Sequence, residues 1–150
     1  MTWLNPAIFA LFGLLFGSFA NVVIWRLPRG ESLATPGSHC PSCGHAVRWY
    51  DNIPVLSWLL LRGKCRDCAE PIAIRYPIVE VVSGILFGLA AWRFEGLAQA
   101  VLASVLFWSL LVLSAIDLDH MRLPNPLVGA LACVGLIAAV TSPFTSLELA

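Results

Sequence analysis

Apolar and polar segments alternate along this chain. Four stretches are mostly apolar, at about 4–24, 77–92, 97–116 and 127–140. A helix needs about 20 mostly apolar residues, within a range of roughly 17 to 25, to cross a bilayer. The second stretch is short and carries Glu80 near its start, but all four approach that length. The pattern predicts an all-α polytopic membrane protein with about four transmembrane helices.

The composition indicates that lipid is the main surrounding of this chain. Hydrophobic residues make up 59% of the 150 residues and charged residues 12%. The mean hydropathy of +0.82 is higher than a soluble domain tolerates. The formal net charge is zero, so charge gives no reason to expect a nucleic-acid partner. No positive charge precedes the first apolar stretch, so we expect it to be retained as a span rather than removed as a signal peptide.

Small residues are concentrated in the first apolar stretch, at Gly13, Gly17, Ser18 and Ala20. In lipid, small side chains allow the backbones of two helices to approach each other closely. We therefore expect the first span to pack tightly against a neighbouring span.

The polar segment at 26–76 determines the predicted topology. It contains seven of the nine basic residues: Arg26, Arg29, Arg48, Arg62, Lys64, Arg66 and Arg75. The positive-inside rule places this segment in the cytoplasm. The N-terminus then lies outside, and the polar segment at 117–125 returns to the cytoplasmic side. This predicts a first transmembrane helix at 1–25, a cytoplasmic loop at 26–76, and transmembrane helices two to four at 77–150.

One part of the loop, Ile53 to Leu61, is too apolar for open water and too short to span a bilayer. We expect it to lie either on the bilayer surface or against a span. No internal repeat is evident in the loop or elsewhere in the sequence.

Four cysteines of the loop form two CxxC pairs. They are Cys40, Cys43, Cys65 and Cys68, and 21 residues separate the pairs. This is close to the spacing of a zinc ribbon with four cysteine ligands. Pro41 and Gly44 favour a tight turn that directs two thiolates at one ion. The loop is therefore predicted to hold a structural zinc ion.

Other interpretations of the cysteines remain. A redox dithiol needs only one CxxC, and a structural disulfide is disfavoured in a reducing cytosol. His39 and His45 flank the first pair and could substitute as ligands, but surface histidines are the simpler interpretation. Cys133 lies alone in an apolar run, where a packing role is expected.

Asp117 is the candidate catalytic residue, because a carboxylate at the end of an apolar helix needs water, a partner or a substrate. An ordinary interfacial helix end is the alternative. Asp119 lies about 200° away around an ideal helix, so the two carboxylates should diverge. Glu80 lies about one turn inside its span and either reaches back to the cytoplasmic face or is buried. His120 is interpreted as an interfacial side chain.

Six stretches of the sequence resemble one known family. They are Gly17–Pro28, Cys40–Gly44, Asn52–Trp58, Arg62–Cys68, Arg75–Glu80 and Asp117–Pro124. Together they resemble the type 4 prepilin peptidases, which combine leader peptidase and N-methyltransferase activities in type IV pilus and type II secretion systems. The resemblance extends from about residue 13 to residue 139.

The resemblance implies an intramembrane aspartic endopeptidase of the bacterial inner membrane that cleaves type IV prepilins or pseudopilins. S-adenosylmethionine is implied as the methyl donor for the second activity. Asp117 corresponds to the first of two catalytic aspartates at the cytoplasmic ends of different helices. The second belongs to a Gly-x-Gly-Asp stretch, which this sequence lacks. We therefore expect an N-terminal portion of a longer enzyme, without peptidase activity of its own.

Two functions from other classes compete with this interpretation. The first is a non-catalytic assembly or adaptor protein whose zinc loop binds a partner, because the second aspartate is missing. The second is a membrane thiol oxidoreductase that uses the cysteines of the loop.

Overall fold

The computed structural model describes residues 5–121 and 124–141. The α-helices are α1 (Pro6–Arg26), α2 (Leu56–Leu60), α3 (Arg75–Arg93), α4 (Leu97–His120) and α5 (Asn125–Thr141). Short 3-10 helices occupy Leu27–Arg29 and Trp49–Asn52. Three parts of the chain lie outside the described residues: Met1–Leu4 of the predicted first span, Arg122 and Leu123 of the predicted polar segment, and residues 142–150 at the end of the predicted last unit.

Three helices, α1, α3 and α4, are long and apolar enough to cross a membrane. The fourth predicted span corresponds to α5, whose apolar part, Asn125–Ile137, is shorter than these three. The prediction of an all-α membrane protein is confirmed. Within the described residues, three of the four predicted spans are long enough to cross a membrane completely.

Local sequence signals explain where the long helices begin and end. The Asn5 side chain accepts the Ala7 N–H at 2.9 Å, and Pro6 occupies the first turn of α1. Helix α4 ends at Met121, which adopts a left-handed conformation with φ of 51° and donates its N–H to the Asp117 carbonyl. The last turn of α4 therefore carries Asp117 to the end of the bundle.

Helices α1 and α3 are in backbone contact, as the small residues of α1 predicted. A Cβ atom at Gly17 would lie 2.6 Å from the Cα atom of Glu80. A Cβ atom at Gly13 would lie 2.6 Å from the carbonyl oxygen of Ser83. No side chain fits at either position unless the helices separate, so these glycines set the distance between the two helices.

Replacing Gly17 by alanine should destabilise the bundle by about 1–3 kcal/mol, because the added methyl group overlaps the backbone of α3. The matched control is Gly129→Ala in α5, where a Cβ atom meets open space. Both substitutions gain the same helix propensity. Thermal unfolding in detergent should show a lower midpoint for G17A alone, and equal midpoints for the two variants would contradict this packing.

Helix α4 contacts α1 through Trp108. Its Nε1–H donates to the Phe16 carbonyl at 2.8 Å, and its ring stacks parallel to Phe19 with centroids 6.0 Å apart. Toward the C-terminal end of α4, a buried apolar cluster joins the three helices. Its members are Ala20, Val23, Ile24, Val79, Val112, Ala115 and Ile116. This cluster ends directly before Asp117, so packing fixes the position of the last turn of α4.

Candidate active site and metal centre

The two CxxC segments fold into equivalent turns. In each, the N–H of the first cysteine donates to the carbonyl five residues later. The residue after the second cysteine donates its N–H back to the carbonyl of the first. That residue is Gly44 in one turn and Ala69 in the other, with φ of 74° and 59°. The turns form a structural repeat that the sequence pattern alone had not indicated.

The four predicted ligands converge. The Sγ atoms of Cys40, Cys43, Cys65 and Cys68 all lie within 4.8 Å of one another. The distance from Cys40 Sγ to Cys68 Sγ is 3.8 Å. A regular tetrahedron of sulfurs around zinc, with bonds of about 2.3 Å, has edges of about 3.8 Å. All four are free thiols, so the cluster fits a zinc ion and excludes a disulfide in this structure.

Electrostatics within the cluster favour a bound cation. The backbone N–H groups of Cys43 and then Ser42 lower the pKa of the Cys40 thiol to about 6. For Cys68, the Glu70 N–H lowers the pKa, but burial and the three neighbouring thiols outweigh it and raise the pKa to about 12. Thiols this close oppose each other's ionisation, and a divalent ion removes that conflict by stabilising all of them as thiolates.

The loop around the cluster has almost no core of its own. Between residues 27 and 74, only Ser57 and Gly63 are buried. A segment that buries so little apolar surface cannot offset its conformational entropy without a further cross-link. A metal ion held by both turns supplies such a cross-link.

Two ion pairs join the parts of the loop. Asp51 accepts both guanidinium hydrogen bonds of Arg66, at 2.6 and 2.7 Å, which ties the 3-10 helix at Trp49–Asn52 to the second turn. This pair lowers the pKa of Asp51 and raises that of Arg66. Arg48 contacts Asp67 at 3.2 Å. These contacts orient the second turn relative to the rest of the loop.

The loop is docked onto α3 by Glu80, which is 8% exposed. Its Oε2 accepts the Val55 N–H at 2.7 Å. Val55 has φ of 61°, a sparsely populated conformation for a β-branched residue. Of the two interpretations of Glu80, the structure supports the buried one. The segment Ile53 to Leu61 contacts a span through this hydrogen bond.

Replacing Glu80 by alanine should release this docking contact, whereas glutamine should largely preserve it because its side-chain carbonyl also accepts a hydrogen bond. Hydrogen exchange at the Val55 amide of the purified chain measures the effect, with faster exchange expected in E80A only. Glu95→Ala, in the exposed turn between α3 and α4, is the control. Unchanged exchange in E80A would show that the contact does not hold the loop.

Asp117 and Asp119 occupy different environments at the end of α4. Asp119 accepts from Arg75 Nη1 at 2.5 Å, and Arg75 Nη2 donates to the Ala115 carbonyl at 3.3 Å. Asp117 is exposed, and within residues 5–121 and 124–141 its carboxylate has no hydrogen bond or ion pair. Asp119 is therefore engaged structurally, and Asp117 remains open to water or a substrate.

Arg75 is a residue that sequence reasoning missed. Its charge was counted toward topology, but its partner lies 44 positions away on another helix. No local signal predicts that contact. The Arg75–Asp119 pair places the end of α4 beside the start of α3, where the cysteine-containing loop ends. The Asn21 side chain likewise donates to the Tyr76 carbonyl at 3.1 Å and brings the end of α1 to the same side. The loop and Asp117 thus share one end of the bundle.

Comparison with known proteins identifies the family of this chain. The family model for the bacterial peptidase A24 N-terminal domain matches residues 11–94, and the model for the type IV leader peptidase family matches residues 104–150. No solved structure matches the chain.

Three curated relatives illustrate the similarity. A prepilin leader peptidase/N-methyltransferase of Myxococcus xanthus is 48% identical over 141 residues, which cover 91% of this chain and 41% of the relative. A protein of the same name from Stutzerimonas stutzeri is 42% identical, over 96% and 59%. A type 4 prepilin-like proteins leader peptide-processing enzyme of Escherichia coli O78:H11 is 44% identical, over 89% and 56%. The chain spans about half the length of these relatives, and it belongs to the type IV leader peptidase family, whose bacterial A24 N-terminal domain it carries.

Proposed function

We propose that this chain is the N-terminal portion of a membrane aspartic endopeptidase that removes the leader peptide from type IV prepilins or pseudopilins. The observation that supports this most directly is the state of Asp117. It is an exposed carboxylate at the end of a helix that is long and apolar enough to cross a membrane, while the neighbouring Asp119 is held by Arg75. The names of the relatives supply the reaction class and the substrate class.

The proposed chemistry needs two carboxylates that share one proton, one acting as base toward water and the other as acid toward the leaving amine. Asp117 supplies one of them. The Arg75–Asp119 pair is a positioning contact, because it holds the last turn of α4 against α3. By family resemblance, the second carboxylate belongs to a Gly-x-Gly-Asp stretch, which this sequence does not contain.

In this proposal zinc is structural and is held by Cys40, Cys43, Cys65 and Cys68. Four thiolates complete a tetrahedral site and leave no position for a reacting water. The ion's contribution is to fix the loop at the end of the bundle that carries Asp117. N-methylation, with S-adenosylmethionine as methyl donor, is proposed for this protein only because of its family. We assign no residue to that activity.

We further propose that the chain lies in the bacterial inner membrane with the zinc loop and Asp117 on the cytoplasmic side and the N-terminus outside. The basic residues of the loop support this orientation. The antiparallel order of α1, α3 and α4 supports a common side for the loop and Asp117, since the loop leaves α1 and enters α3 at the same end.

The chain alone should not cleave a prepilin in membranes, because one carboxylate cannot serve as both acid and base in this mechanism. Incubation of membranes containing the 150-residue chain with a prepilin, followed by separation of precursor and mature product, measures this directly. Turnover that disappears in Asp117→Ala would show that another residue of this chain supplies the second carboxylate.

A further inference from the structure

The short helix α2 presents an uncovered apolar face. Leu56, Leu59 and Leu60 are 49%, 59% and 74% exposed, and their i, i+3, i+4 spacing places them on one side of the helix. On the opposite side, Trp58 is only partly exposed and its Nε1–H donates to the Ile72 carbonyl, while Ser57, beside the leucine face, is buried and its hydroxyl donates to the Tyr50 carbonyl. Three exposed leucines on one face are unfavourable in water, so this face needs an apolar contact.

The docking contact of α2 fixes its level relative to the bundle. Val55, directly before α2, donates its N–H to Glu80. Glu80 lies five residues into α3, about 7.5 Å along the helix from Arg75. Because α3 is long and apolar enough to cross a membrane, α2 begins within about one and a half turns of the end of a candidate span, near the boundary of the hydrocarbon. At that level the surrounding of an exposed face is lipid.

Two cations follow α2 immediately. Arg62 and Lys64 are exposed, and neither has an ion pair or a side-chain hydrogen bond in the part of the chain that the structure describes. Arg48, Arg66 and Arg75, by contrast, are all paired with aspartates. Free cations next to an apolar helix face are typical of segments that lie in the interface of anionic membranes.

We propose that residues 56–64 are a lipid-docking element, with the leucines among acyl chains and with Arg62 and Lys64 on the phosphates of anionic phospholipids. Charge complementarity and the level set by Glu80 select the bilayer as the occupant of this face. Since Lys64 adjoins Cys65, docking would also hold the second cysteine turn close to the membrane. The proposal concerns membrane attachment of the loop and does not depend on peptidase activity.

Hydrogen exchange of the purified chain in lipid nanodiscs tests this. Discs of phosphatidylcholine alone are compared with discs that also contain phosphatidylglycerol. Backbone amides at 56–64 should exchange on the order of tenfold more slowly in the anionic discs, because each cation near such a surface adds a favourable interaction. Equal exchange in the two kinds of disc would overturn the proposal, and this comparison uses the unmodified protein only.

Variants locate the effect. R62Q/K64Q should abolish the difference between the two lipids, whereas R48Q/R93Q, which removes the same charge from a paired arginine and from the far end of α3, should retain it. L59S/L60S should speed exchange in both discs, with Leu33→Ser as the exposed-leucine control. Zinc content verifies that each variant is folded. A lipid difference that persists in R62Q/K64Q, or slow exchange that is insensitive to L59S/L60S, would assign the face to another occupant and overturn the proposal.

Discussion

Replacing Cys40 and Cys43 by serine should reduce the zinc content of the purified chain from about one ion per chain to nearly none. Serine hydroxyls do not replace thiolates as zinc ligands, and two remaining sulfurs cannot complete a tetrahedral site. Because residues 27–74 bury only Ser57 and Gly63, the loop should unfold with the loss of the ion. Elemental analysis measures the zinc, and limited proteolysis between residues 27 and 74 measures the unfolding.

Cys133→Ser is the matched control for this experiment. Cys133 is an exposed cysteine on α5, outside the cluster, so its loss should leave both zinc and the loop intact. Thiol titration separates the zinc site from a redox dithiol, since zinc-bound thiolates should react fully only after a chelator is added. Unchanged zinc in C40S/C43S would exclude the proposed site.

Asp117→Asn should lower prepilin cleavage on the order of 10³-fold or more in a protein that also contains the second carboxylate. A chimera of residues 1–150 of this chain and the remaining C-terminal part of the Myxococcus xanthus relative is designed to supply the second carboxylate. The two proteins are similar enough to be joined, since they are 48% identical over 141 residues. The amide keeps the size of the side chain but can neither accept nor share the catalytic proton. Cleavage rates of a purified prepilin measure the effect.

Asp119→Asn in the same chimera is the control for local disruption. It weakens the contact with Arg75 and should reduce cleavage only moderately, on the order of tenfold, through a less well-fixed helix end. Both variants should retain zinc and membrane insertion. A chimera in which D117N cleaves normally, or in which D119N is the more damaging change, would reject Asp117 as the catalytic carboxylate.

The periodicity and composition of the sequence predicted the helices well, because hydrophobic length is a local property. The predicted second stretch at 77–92 became Arg75–Arg93, and the third at 97–116 became Leu97–His120. Both helices extend beyond their apolar parts, because polar residues at a membrane boundary remain helical while their side chains reach water. The CxxC spacing likewise identified the four thiols that converge, since each turn is encoded within a few residues.

Contacts between distant segments were not predictable in this way. The small residues of α1 indicated close packing, but nothing local identified α3 as the partner of Gly17. Glu80 had two reasonable interpretations, and only the approach of Val55, 25 positions earlier in the chain, distinguishes them. The Arg75–Asp119 pair likewise joins residues that are far apart in the sequence. Each of these contacts depends on how the helices are arranged, which a single sequence without a fold does not specify.

The hydrogen bond from Asn21 to Tyr76 has a consequence for how the protein comes apart. It joins the end of α1 to the start of α3, so it holds together the two ends of the cysteine-containing loop. The helices therefore offset the entropic cost of bringing the two ends of the loop together, and the metal is needed only to order the turns between those ends. Removal of the ion should then unfold the loop alone and leave the helices folded. When the ion is restored, the loop should refold between helix ends that are already in place.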